Sequence, residues 1–111
     1  MDLKQESVGD VTVLAISGRV DSTTAPKLQE QLISVMNAPQ ASVLVDLTGM
    51  DYISSAGFRV LLLGAKRAES TGNRLVLCGL SAKVRQLFDL GGFLDLFSIA
   101  GTREEGITVA G

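Results

Sequence analysis

Histidine is absent from this 111-residue sequence, and cysteine occurs once. Without an imidazole there is no Ser-His-Asp or Cys-His nucleophile system and no histidine-bearing zinc site of the usual kind. A lone thiol forms no intrachain disulfide. Cys78 closes the strand-like run Arg74-Leu75-Val76-Leu77-Cys78. With no base to activate it, it reads as a small buried hydrophobe in a reducing compartment. Aromatic residues make up 5%, no basic run occurs and the formal net charge is −2, so the electrostatic footprint of a nucleic-acid binder is missing. The longest apolar runs are too short to span a bilayer, and the charged start Met1–Glu6 lacks the pattern of a signal peptide. Gly18, Gly49, Gly57, Gly79, Gly91 and Gly92 fit neither G-x-x-x-x-G-K-[ST] nor G-x-G-x-x-G, which leaves a nucleotide-binding enzyme without its phosphate cradle.

What is present is the composition of a globular protein. Hydrophobic residues reach 46% and charged residues 20%, enough to build a core in one domain over residues 1–111. Leu3–Ser7 and Val11–Ser17 read as two strands divided by the turn signal Gly9-Asp10. The second is apolar on nearly both faces, as a central strand would be. Ser22, Thr23 and Thr24 are candidate caps for a helix with Pro26 in its first turn and an apolar stripe of Ala25, Leu28, Leu32, Val35 and Met36. Ser42–Leu47 reads as a buried strand. A second helical stripe of Phe58, Leu61, Leu62, Ala65 and Ala68 follows Ser54-Ser55 and closes at Gly72. Arg74–Cys78 is the next strand. Ser81 caps a third helix through Leu90, Leu96–Ile99 is a short edge strand, and Thr102-Arg103-Glu104-Glu105 resembles a capping box on a terminal helix expected to fray. Alternating strands and helices predict an α/β fold with parallel crossovers. The initial hairpin makes it a mixed sheet of four to five strands, with helices packed mainly on one face. Loops leaving the carboxyl ends of strands carry function in such sheets, and those after Ser17 and Leu47 are expected side by side.

The acidic residues Asp21, Asp46 and Asp51 do not form the pattern of a receiver-type Mg²⁺ site. No acidic pair follows the first strand, and Asp46 reads instead as a strand-end residue bonding a loop N–H. Gly57 lies in the first turn of a helix, at a cost of about 1 kcal/mol against Ala. It marks close packing on the sheet, close approach of a partner, or both. Ser54 and Ser55 open the same helix, where unpaired N–H groups and the positive end of the dipole favour an anion. One of them is a plain N-cap, or the pair contains a hydroxyl that is switched by phosphorylation. Neither is a hydrolase nucleophile, because no general base accompanies them and G-x-S-x-G does not match.

The segment Val45-Asp46-Leu47-Thr48-Gly49-Met50-Asp51-Tyr52-Ile53-Ser54-Ser55-Ala56-Gly57-Phe58-Arg59-Val60-Leu61-Leu62 closely resembles the signature of STAS domains of the anti-sigma factor antagonist family. Val13–Asp21 followed by Thr24-Ala25-Pro26 resembles the family's second strand and first helix start. Leu75–Leu80 and the helix bearing Val84, Leu87 and Phe88 resemble its last strand and third helix, so the likeness covers about the whole domain.

The resemblance implies a partner-switching regulator that is not an enzyme and needs no cofactor. Its unphosphorylated form is expected to bind a GHKL-type anti-sigma factor that doubles as a serine kinase. Phosphorylation of Ser55, the serine before Ala56-Gly57, ends binding, and a metal-dependent Ser/Thr phosphatase restores it. Many family members have Asp where Ser54 stands, so Ser54 is the alternative acceptor. Asp21, Thr24, Asp51 and Arg59 are the implied rim of the partner surface, around Ser54, Ser55 and Gly57. Met50, Tyr52 and Ile53 are its implied apolar centre, with Tyr52 and Ile53 alternatively part of the core. The expected setting is the bacterial cytoplasm, with no membrane or nucleic-acid partner and a monomer when free. The alternative inside the same fold is an accessory subunit of a lipid-transport ATPase or of another signalling assembly.

Overall fold

A computed structural model describes all residues, 1–111. The chain runs β1 (Asp2–Val8), β2 (Val11–Val20), α1 (Ala25–Met36), β3 (Ser42–Asp46), β4 (Met50–Ile53), α2 (Ser55–Thr71), β5 (Arg74–Cys78), α3 (Ala82–Leu90), a single 3-10 turn at Leu94–Leu96, β6 (Ser98–Ala100) and α4 (Arg103–Ala110). The sheet order is β1-β2-β3-β5-β6, with β4 paired to β2. The β1–β2 hairpin is antiparallel, turning at Gly9, and every other pairing is parallel. This is the expected mixed α/β sheet, with six strands rather than four to five.

The additional strand is β4. Thr48-Gly49 turns the chain after β3, and Met50–Ile53 then pairs with Gly18–Val20 of β2. The expected end of β2 at Ser17 is therefore a register shift at Gly18/Arg19. Gly18 takes φ +84°, its N–H donates to the Gly49 carbonyl at 2.9 Å, and the strand resumes. The two loops expected side by side are joined through this pairing, and the Ser54 N–H donates to the Val20 carbonyl at 2.9 Å.

Alternation of side chains splits the core into two layers. Leu14, Ile16, Val43, Val45, Leu75 and Leu77 face α1, α2 and α3 in the larger cluster. All four phenylalanines gather there, with Phe58 stacked on Phe93 at 4.5 Å between centroids and edge-on to Phe88 at 4.7 Å, and Phe97 against Phe88. Val11, Val13, Leu44, Val76 and Cys78 face the other way, against α4. That helix is not frayed. Ala110 is fully buried, and Gly106 lies so close to Leu44 that a methyl there would stand 2.5 Å from its Cδ1. Thr102 caps it by accepting from the Glu105 N–H at 3.2 Å, while Glu105 accepts from Gly101. Three helices thus cover one face and α4 the other.

Candidate functional site

The ends of β2 and β4 and the start of α2 form one rim. Ser54 is the N-cap of α2, with extended backbone at φ −89° and ψ 174°. Its side chain makes no capping hydrogen bond, and its Oγ is buried without a partner. Ser55, the first helical residue, is exposed. The two serines therefore differ sharply: one hydroxyl is sealed beneath the helix start, the other faces solvent within the first turn. Access separates them where residue type alone did not.

Beside them, Asp21 organises the loop from β2 into α1. Its Oδ1 accepts from the Thr23 N–H at 3.0 Å and the Thr23 hydroxyl at 2.7 Å, and the Thr24 hydroxyl accepts from the Asp21 N–H at 2.9 Å. The Thr23 hydroxyl and N–H hold the Asp21 carboxyl down to about 2. Arg19 donates to its Oδ2 at 3.3 Å while lying over the Tyr52 ring, 4.1 Å from guanidinium carbon to centroid. Asp21, Arg19 and Tyr52 are thereby tied into one ordered edge. Arg19 is no candidate from sequence alone, because it lies past the expected strand end at Ser17. Gly18, a glycine inside a strand pattern, is the sequence sign of such an irregularity.

Three expected surface residues belong to the interior. Met50 and Ile53 are each 2% exposed, and Gly57 is buried. A methyl on Gly57 would lie 2.6 Å from Ile53 Cγ1 and 2.8 Å from Val20 Cγ1. In β4, Met50 and Ile53 face the helices while Asp51 is exposed and Tyr52 half-buried. These buried residues shape the rim from below; Asp21, Thr24, Asp51, Tyr52, Ser55 and Arg59 reach the surface above.

A groove of about 600 Å³ continues from this rim between α1 and α2. Its floor is apolar, with Ala25, Ile33 and Val60, and Glu30 and Arg59 are its charged walls. Gly64 permits the helices to meet beneath it, since a methyl there would stand 2.6 Å from Leu32 Cδ2.

Asp46 lies outside the rim. Its Oδ1 accepts from the Thr48 N–H at 2.9 Å and the Thr48 hydroxyl at 2.6 Å, the loop-bonding role read from its strand-end position. No group of three or more Cys, Asp or Glu side chains converges to hold a metal ion. Cys78 is fully buried beneath α4, and burial, reinforced by the Asp46 charge, pushes its thiol up to about 11, which suppresses the reactive thiolate. No helix is long and apolar enough to cross a membrane.

The family model for the STAS domain matches residues 3–106. The chain belongs to the STAS domain family. BtrV of Bordetella bronchiseptica, assigned as an anti-sigma factor antagonist, is 38% identical to this STAS domain over 104 residues, 94% of this chain and 90% of that protein. The anti-sigma-B factor antagonist of Bacillus subtilis is 31% identical over 107 residues, 96% of this chain and 95% of that protein. The structure of a STAS domain protein from Planctomyces limnophilus superposes with a TM-score of 0.86 at 20% identity, covering 99% of this chain and 98% of that one. At that identity the superposition speaks for the fold.

Proposed function

We propose that this STAS domain is an anti-sigma factor antagonist. Its unphosphorylated form binds a GHKL-type anti-sigma factor with serine kinase activity, and phosphate on Ser55 switches that binding off. The observation that carries this reading is the contrast at the start of α2, where Ser55 is exposed and the Ser54 hydroxyl is sealed without a partner. Relatives at 38% and 31% identity that bear the antagonist name support the class of function.

The physics of the switch is local. A phosphate adds about −1.5 to −2 charges at neutral pH. Within this domain the amino end of α2 accommodates them. A partner surface complementary to a neutral hydroxyl does not, because a newly buried charge without a counter-charge costs several kcal/mol. No refolding is required. Asp21, Thr24, Asp51, Tyr52, Ser55 and Arg59 form the contact surface, with Arg19 added. Met50, Ile53 and Gly57 support it from the core. The domain works as a binding module rather than an enzyme, is monomeric when free, operates in the bacterial cytoplasm, and is reset by a metal-dependent Ser/Thr phosphatase.

The test is a pull-down from native cytoplasm with Ser55→Ala and Ser55→Glu chains as paired baits, read by mass spectrometry. A GHKL-type kinase retained by the first and lost from the second is the expected result. The same partners on both baits, or a lipid-transport ATPase on either, would overturn the proposal and leave Ser55 as part of the helix start alone.

A further inference from the structure

Ser55 and Arg59 stand one helical turn apart on α2, and both are exposed. Side chains at i and i+4 are neighbours on a helix surface. Cα–Cβ bonds tilt toward the helix amino end, so a long side chain at Arg59 reaches back over the turn that carries Ser55. The order also matters, because an anion placed four residues before a cation is the favourable arrangement.

Arg59 is available for such a contact. The ion pairs of the chain join Arg19 to Asp21, and Arg103 to Glu6 and Asp46, and none uses Arg59. Arg19, the other arginine of this rim, is already held by Asp21 and Tyr52. Glu30 on α1 is the one acidic group that lines the groove with Arg59; Asp51 on β4 and Asp21 on the loop before α1 are the acidic residues of the rim. Each carries one charge, and Asp21 spends its oxygens on Thr23 and Arg19. A phosphate at Ser55 brings nearly two charges and three acceptor oxygens, which suit the planar fork of a guanidinium.

Resting on the reading that Ser55 carries the phosphate, we propose that Arg59 is the internal partner of phospho-Ser55. Modification draws its guanidinium out of the α1–α2 groove and onto the phosphate. One event then changes two places. The rim gains negative charge, and the groove loses the cation that lines it with Glu30, so its remaining charged lining is acidic. A partner that docks an acidic group against Arg59 in the unmodified chain loses that contact at the same moment.

The experiment uses full-length chain with phosphoserine incorporated at position 55 during translation, titrated by ³¹P NMR. The helix dipole acts equally on every variant, so differences isolate single side chains. The second ionisation of the phosphate is expected to rise by about 0.4 unit in Arg59→Gln, the size of an exposed i,i+4 ion pair with a highly charged member. Arg19→Gln should titrate with the parent chain. An Arg59→Gln curve that superposes on the parent, or a shift produced by Arg19→Gln instead, would overturn the proposal. The phosphate is installed without any kinase. A chain that no cytoplasmic kinase recognises still reports on Arg59, which keeps this result separate from the pull-down.

Discussion

Arg103, at the start of α4, holds Asp46, at the end of β3, through two nitrogens on one carboxylate oxygen: Nε at 3.0 Å and Nη2 at 2.9 Å from Oδ2. The other oxygen is filled by Thr48, and Arg103 also pairs with Glu6 of β1. This clamp fastens α4 to its face of the sheet. Arg103→Met should cost about 1–2 kcal/mol at pH 7, between the values for exposed and buried pairs because the arginine is partly solvated. Burial pushes the Asp46 carboxyl up, but the Thr48 hydroxyl and N–H, then Arg103, outweigh it and hold it below its usual 3.8. A carboxyl that binds its proton less readily when folded adds stability above its unfolded pKa and loses it as pH falls through the lowered one. The gap between parent and Arg103→Met in urea melts should therefore shrink below about pH 4. Asp21, held at about 2, adds its own acid dependence, but equally in both chains. A gap that stays constant down to pH 2 would show that the pair does not couple α4 to the sheet.

Ser54→Ala should be nearly neutral. Truncating a serine N-cap ordinarily costs about 1 kcal/mol. The Ser54 hydroxyl makes no capping bond and is buried without a partner, so its removal also relieves an unsatisfied polar group. Denaturant midpoints within about 0.5 kcal/mol of the parent, or above it, are expected. A loss beyond about 1 kcal/mol would mean that the hydroxyl caps α2 in solution.

Where sequence and structure part, the cause is contact between distant segments. Arg74–Cys78 and the helix after Ser81 fall where local pattern puts them, because a short continuous apolar run, the Ser81 cap and a run of helix formers agree. Met50–Ile53 carries an exposed Asp51 and only four residues, too short for a period to register. It is a strand because β2 resumes past Gly18 and offers an edge to it. The last helix, Arg103–Ala110, is short and terminal, which is why it is expected to fray. It is fixed by Leu44 against Gly106 and by an ion pair spanning 57 residues. At the site, the motif located the helix start and both serines. Burial of one hydroxyl, the core positions of Met50 and Ile53, and the placement of Arg19 all depend on β4, a strand that local pattern does not reveal.

Gly57→Ala tests how closely α2 rides on the sheet. Alanine gains about 1 kcal/mol of helix propensity. Its methyl would meet Ile53 Cγ1 at 2.6 Å and Val20 Cγ1 at 2.8 Å, both on fully packed side chains with nowhere to retreat. Overpacking of this kind costs about 1–3 kcal/mol. A net loss of about 1 kcal/mol in urea melts is expected, with a shifted Ser55 amide resonance as the helix start lifts. A stabilised chain with an unmoved Ser55 signal would show that the contact yields easily.

Tyr52 is the aromatic half of the Arg19 stack, and its contribution is ordering rather than stability. An exposed cation–π contact is worth about 0.5–1 kcal/mol, so Tyr52→Leu and Tyr52→Phe should both melt close to the parent. They should differ in binding. Phenylalanine keeps the ring face beneath the guanidinium that lies 4.1 Å above it, and Arg19 stays fixed beside Asp21. Leucine leaves Arg19 held by the exposed Asp21 contact alone, and a partner must then complete its immobilisation at a cost of about 0.5–1.5 kcal/mol while losing aromatic contact area. Calorimetry against the partner retained by the Ser55→Ala bait should show Tyr52→Phe within about twofold of the parent and Tyr52→Leu weaker by about tenfold. Equal affinities for the two variants would place Tyr52 and Arg19 outside the contact surface and confine recognition to the amino end of α2 and the groove behind it.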